Sequence, residues 1–73
     1  MLENFSQKTI SSAWQRAGGK CGKCYKLLLL GSHGRESSFG WEAHHINPNG
    51  SNSPSNCQIL CQNCHKNTPS YGG

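Results

Sequence analysis

Two short cysteine pairs constrain this chain of 73 residues more than anything else in it: Cys21-Gly22-Lys23-Cys24 and Cys61-Gln62-Asn63-Cys64, with residues 25–60 between them. A spacing of two residues lets both sulfurs of a pair reach one ion from a single tight turn. Two such pairs supply the four thiolates of a tetrahedral Zn²⁺ site, closed on all sides and so structural. Two disulfides and a thioredoxin-like redox pair are the competing readings. The first belongs to an oxidising compartment, and the second leaves one pair unused and lacks its βαβ pattern. The cysteine count is odd, and no basic, apolar and small-residue order of an export signal opens the chain. The expectation is a metal-clipped domain in the cytoplasm. The fifth cysteine, Cys57, falls in the apolar pattern of "NCQILC" and reads as a small core hydrophobe.

Size makes a clip necessary. A domain this small buries only about 60% of the surface its unfolded chain exposes, and only 33% of these residues are apolar. Zinc binding of this kind is coupled to folding, so the metal-free chain is expected to be largely disordered. One domain spanning 1–73 is the expectation, with no membrane association: the longest apolar run, Leu27–Leu30, is far too short to span a bilayer. The formal charge of +4 suits a polyanionic partner, although ordinary solubility explains it equally well. All three acidic residues are Glu. Any catalysis must therefore run on His, Asn, Glu or metal.

Periodicity divides the chain into elements. Ile10, Ala13, Trp14 and Ala17 share one helical face, with Ser6 as N-cap and Gly18-Gly19 as the stop, which predicts a helix over about 6–17. Residues 1–5 read as a frayed end. The clipped core runs over about 20–68. In it, Leu27–Leu30 has the composition of a strand, and 31–40 reads as a mobile Gly/Ser-rich loop or a wide hairpin end in which His33 is solvated. "WEAHHI" and "NCQILC" are expected to pair as an antiparallel hairpin across the turn-rich "NPNGSNSPS". "QNCHKNT" begins a short helix that Pro69 curtails, and "SYGG" is a tail. The fold class is small α+β.

Three features remain once the clip is assigned: "EAHHINP" with His44 and His45, then Asn56, then His65 directly after the last cysteine. With "CGKC" upstream and "NCQILCQNCH" downstream, residues 20–67 resemble the HNH endonuclease family in its zinc-clipped form. The resemblance implies a ββα-metal, treble-clef-like core, in which a hairpin and a helix hold one catalytic divalent ion, and an activity that hydrolyses phosphodiester bonds of DNA, with RNA as an alternative. By that resemblance His45 is the general base and Asn56 ties the hairpin and orients His45. His44 and His65 then hold the ion. Imidazole ligands suit Mn²⁺, Ni²⁺ or Zn²⁺, while Mg²⁺ would rely on phosphate and water. The products would carry 5′-phosphate and 3′-hydroxyl ends. One such site cuts one strand, so double-strand cleavage would need a dimer or two events.

Adjacent strand residues point to opposite faces, so for both imidazoles to serve one cleft the strand must end or bulge at His45. Lys20, Lys23, Lys26, Arg35 and Lys66 are candidates for phosphate contacts, each with a solvated face as its plain alternative. Glu42 is either a histidine orienter or a surface strand residue. Two other functions fit part of the pattern. A non-catalytic zinc-ribbon-like module that binds nucleic acid explains the clip and the charge; a wholly structural two-zinc domain uses the three histidines and leaves Asn56 idle.

Overall fold

The computed structural model describes residues 5–47 and 49–68. Helix α1 covers Gln7–Ala17, strand β1 Trp41–His45, strand β2 Cys57–Cys61 and helix α2 Gln62–Lys66, with short 3-10 turns at Leu30–Ser32 and Pro54–Asn56. This is a small α+β arrangement around one antiparallel hairpin. No helix among the described residues is long and apolar enough to cross a membrane.

Helix α1 begins and ends where its sequence dictates. The Ser6 hydroxyl accepts the Thr9 amide at 3.1 Å, and Gly18 closes the last turn in the left-handed region at φ 66°, which costs glycine little. Ile10 and Ala13 are buried, with Trp14 and Ala17 half-buried against the same core. Phe5 is no frayed end: it is buried and packs into that core. Residues 1–4, Pro48, and the segment from Pro69 onward lie outside the described residues.

The hairpin pairs Trp41 with Cys61, Glu42 with Leu60, Ala43 with Ile59, His44 with Gln58 and His45 with Cys57. Partners share a face, so Trp41, Ala43, His45, Cys57 and Ile59 face one way and Glu42, His44, Gln58 and Leu60 the other. Trp41 centres the core. Its indole lies between Trp14, at a centroid distance of 4.8 Å, and His33, stacked at 4.0 Å and 9°. Its Nε1–H donates to the Leu29 carbonyl at 2.9 Å. The solvated histidine expected at position 33 is therefore a packing residue.

Leu27–Leu30 is not a strand. The backbone there is already engaged by scattered partners: Leu28 N–H donates to Gly19 and Leu29 N–H to Phe39, so no single strand runs beside it. Leu28 alone is buried, while Leu27, Leu29 and Leu30 are exposed. Nor is the 31–40 segment loose. Gly34 N–H donates to the Trp41 carbonyl at 2.8 Å, the Gln62 amide donates to the Arg35 carbonyl at 3.0 Å, and Lys66 pairs with Glu36 at 2.9 Å. Helix α2 stops at Lys66, where the buried Thr68 hydroxyl donates to the His65 carbonyl at 2.8 Å.

Candidate metal centre and histidine cluster

The two cysteine pairs converge. The sulfurs of Cys21, Cys24, Cys61 and Cys64 all lie within 4.8 Å of one another. One separation, Cys24 to Cys61, is 3.8 Å, close to the sulfur–sulfur edge of about 3.8 Å in a tetrahedron with Zn–S bonds of ~2.3 Å. The local fold explains the convergence. Cys21 lies before a turn that Tyr25 N–H closes onto the Cys21 carbonyl, and Gly22 N–H donates to the Ile59 carbonyl at 2.7 Å, docking the turn on β2. Cys61 ends β2 and caps α2, its sulfur accepting the Cys64 amide at 3.4 Å. The Lys23 amide approaches the Cys21 sulfur at 3.4 Å in the same way.

The electrostatics at these thiols would favour a bound cation. Burial raises the Cys21 thiol, but amide donors at Cys24, Cys61 and Lys23 outweigh it and lower the group to about 6. Cys64 is pushed up to about 12, first by burial and then by its three neighbouring thiols; Cys61 is raised, again chiefly by burial. The Cys21 thiolate forms readily and opposes ionisation of Cys64, because like charges in one pocket repel each other. A metal ion removes that opposition. The four cysteines can hold a structural ion such as Zn²⁺, and their spacing in the sequence was sufficient to find them.

A second cluster adjoins the clip. His44 and His65 are both buried, their rings edge-on at a centroid separation of 5.6 Å. Buried His44 Nδ1 has no hydrogen-bond partner. Burial lowers the His44 pKa, as do the positive charges of His65, Lys23 and His45. Each effect favours the neutral imidazole, the form that ligates metal. Its position follows from the strand period, which turns His44 toward α2, while His65 follows Cys64 in that helix.

His45 is on the other face. The strand ends at His45 without a bulge, still in register with Cys57, so the neighbouring imidazoles are not presented together to His65. The His45 ring stacks on Phe5 at 4.1 Å, and its Nε2 lies 2.7 Å from Asn52 Oδ1. Asn56 does tie the hairpin turn. Its Oδ1 accepts the Asn47 amide at 2.8 Å, and its Nδ2 donates to the carbonyls of Asn47 at 3.0 Å and Ser51 at 2.7 Å. It touches the loop rather than His45. Phe5 and Asn52 escape sequence reasoning, since one sits next to the chain end and the other is one polar residue among many in a turn.

The five basic candidates are all exposed. Lys20, Lys23 and Lys26 flank the first cysteine pair, Arg35 lies in the pinned loop, and Lys66 is engaged with Glu36. Glu42 Oε2 accepts the Gln62 amide at 3.1 Å, joining β1 to α2. Arg16, absent from the expected set, is structural: its guanidinium donates to the carbonyls of Pro54 and Cys57. No protein-family model, curated protein or solved structure matches this chain.

Proposed function

We propose that this protein is a metal-dependent endonuclease of the HNH type, with a ββα-metal, treble-clef-like core acting on DNA. The observation that carries the reading is the His44–His65 pair beside the clip. A metal at the usual ~2.0–2.1 Å from one nitrogen of each ring sets two imidazole centroids roughly 5–6 Å apart, and these are 5.6 Å apart. Buried His44 Nδ1 lacks a partner, and its neutral form is favoured, so the donor set fits a divalent ion. When bound, that ion would supply Lewis-acid stabilisation of the phosphate and the leaving oxygen.

The remaining chemistry belongs to the chain. His45 takes a proton from a water that attacks phosphorus in line, and Asn56 keeps the turn after β1 closed. His44 and His45 flank the end of β1 on opposite faces of the hairpin, so a phosphate would have to sit at that end for both imidazoles to serve it. Lys20, Lys23 and Lys26 supply cationic side chains on the clip, and Arg35 and Lys66 extend the set. The burial of His45 beneath Phe5 favours the second reading, a zinc-ribbon-like module that binds nucleic acid without cutting it.

A plasmid-nicking assay with zinc-loaded protein, run separately with Mg²⁺, Mn²⁺, Ni²⁺ and added Zn²⁺, decides between them. The nuclease converts supercoiled plasmid to open circle with at least one ion, and loses that activity in His44→Ala. Retarded plasmid with no cutting under any ion identifies the binding module.

A further inference from the structure

We infer that Asn52 is a positioning residue for His45, holding the imidazole with its proton on Nε2 and leaving Nδ1 as the basic atom; this rests on the proposed nuclease reading. The contact is His45 Nε2 to Asn52 Oδ1 at 2.7 Å. An amide oxygen only accepts, so the imidazole nitrogen facing it must carry the hydrogen. In a neutral ring the lone pair then belongs to Nδ1. Fixing one tautomer through the far nitrogen is the role a carboxylate plays behind the histidine of a serine protease triad. Here a neutral amide takes it, in a chain with no Asp.

The loop around Asn52 is built to hold that oxygen in place. Asn56 Nδ2 donates to the carbonyl of Ser51, the residue before Asn52, at 2.7 Å. The Ser53 hydroxyl, one residue after it, lies 2.8 Å from the Ser51 hydroxyl and 3.0 Å from that of Ser55. Phe5 stacks on the other side of the problem, fixing the plane of the ring at 24° to its own. The ring plane and the ring proton thus have separate custodians. Asn56, which makes no contact with His45, acts on it through Ser51 and Asn52. This gives a physical route for the orienting role that the motif resemblance attaches to Asn56.

The test pairs a spectroscopic measurement with kinetics, on the zinc-loaded chain. In ¹⁵N–¹H spectra of the His45 imidazole, the parent should show a proton on Nε2 protected from solvent exchange. That signal should broaden or vanish in Asn52→Ala and persist in Asn52→Asp, which keeps an acceptor oxygen at the same reach. In the nicking assay Asn52→Ala should lower kcat about tenfold with KM and zinc content unchanged, and Asn52→Asp should recover most of the loss. A parent spectrum with the proton on Nδ1 overturns the inference, because the side-chain amide must then be turned to donate. So does an Asn52→Ala protein that nicks like the parent. If the parent cuts no plasmid under any ion, the nuclease reading and the catalytic role of Asn52 fall together. The protected Nε2 proton then decides separately whether Asn52 still holds the ring.

Discussion

His44 and His45 differ by one position and face different partners, so single substitutions should separate them. His44→Ala removes a candidate ligand: nicking should fall, the clip zinc should stay, and raising the divalent ion should restore part of the rate. His65→Ala should behave alike. On the proposed nuclease reading His45→Ala removes the general base, worth typically 10²–10⁴-fold in rate, and extra ion should not rescue it. Ion titrations on each variant, with zinc content measured alongside, separate the cases. If His45→Ala releases the ion while His44→Ala keeps it, the two roles are reversed. His44 also links stability to pH. Burial, then the charges of His65, Lys23 and His45, lower its native pKa below the 6.5 of a free imidazole. The unfolded chain therefore binds a proton at higher pH than the native one. Native stability should fall as pH drops below the unfolded value and level off once the native value is passed. Denaturant midpoints measured at several pH values should show a shallower acid loss in His44→Gln than in the parent, since the clip is common to both.

At the scale of elements, the 31–40 segment carries a sharp test. A Cβ at Gly40 would collide with the Arg35 carbonyl, whereas one at Gly31 meets nothing within 4 Å. Gly40→Ala should destabilise the domain by about 1–3 kcal/mol, the usual range for overpacking, and Gly31→Ala should sit near the parent in thermal denaturation. Sequence periodicity could not reveal that constraint, because it resides in a carbonyl brought close by the fold. The legible elements were those whose own residues determine them. Helix α1 carries its face within its own eleven residues and its cap and stop immediately beside them, at Ser6 and Gly18, and the hairpin has two apolar segments around a dense turn. Leu27–Leu30 has a strand's composition, but its backbone partners are scattered over Lys20, Gly19 and Phe39, and continuous pairing is a property of the whole fold. His33 looked solvated for a similar reason: its partner, Trp41, is eight positions away. The four-cysteine cluster was legible from its spacing and the pairing of His44 with His65 from the motif resemblance, while Asn52 and Phe5 became visible only as contacts.

Across the whole molecule the clip ties together what the hairpin and α1 cannot. It joins the turn at 21–24 to the junction of β2 and α2, and the buried apolar set is small, with Trp41, Ile59 and Leu60 the largest of its fully buried side chains. An ion held by the four sulfurs would therefore support the native contacts around them, and its binding energy would be folding energy. A strong chelator should abolish the near-ultraviolet signal of Trp14 and Trp41 in step with zinc release, and re-addition of Zn²⁺ should restore it. Cys24→Ser and Cys61→Ser, which replace a thiolate with a hard, poorly basic hydroxyl, should each behave like the chelated protein even with zinc present. Cys57 is as deeply buried, at 0% exposure, yet stands outside the four-sulfur group. Its Ser variant should retain the metal and lose only about 1–2 kcal/mol for a hydroxyl placed among apolar side chains. Zinc stoichiometry and denaturant midpoints on the three variants test the assignment as a set. Release of zinc by Cys57→Ser, with Cys24→Ser remaining loaded and folded, would falsify the ligand set and the coupling together.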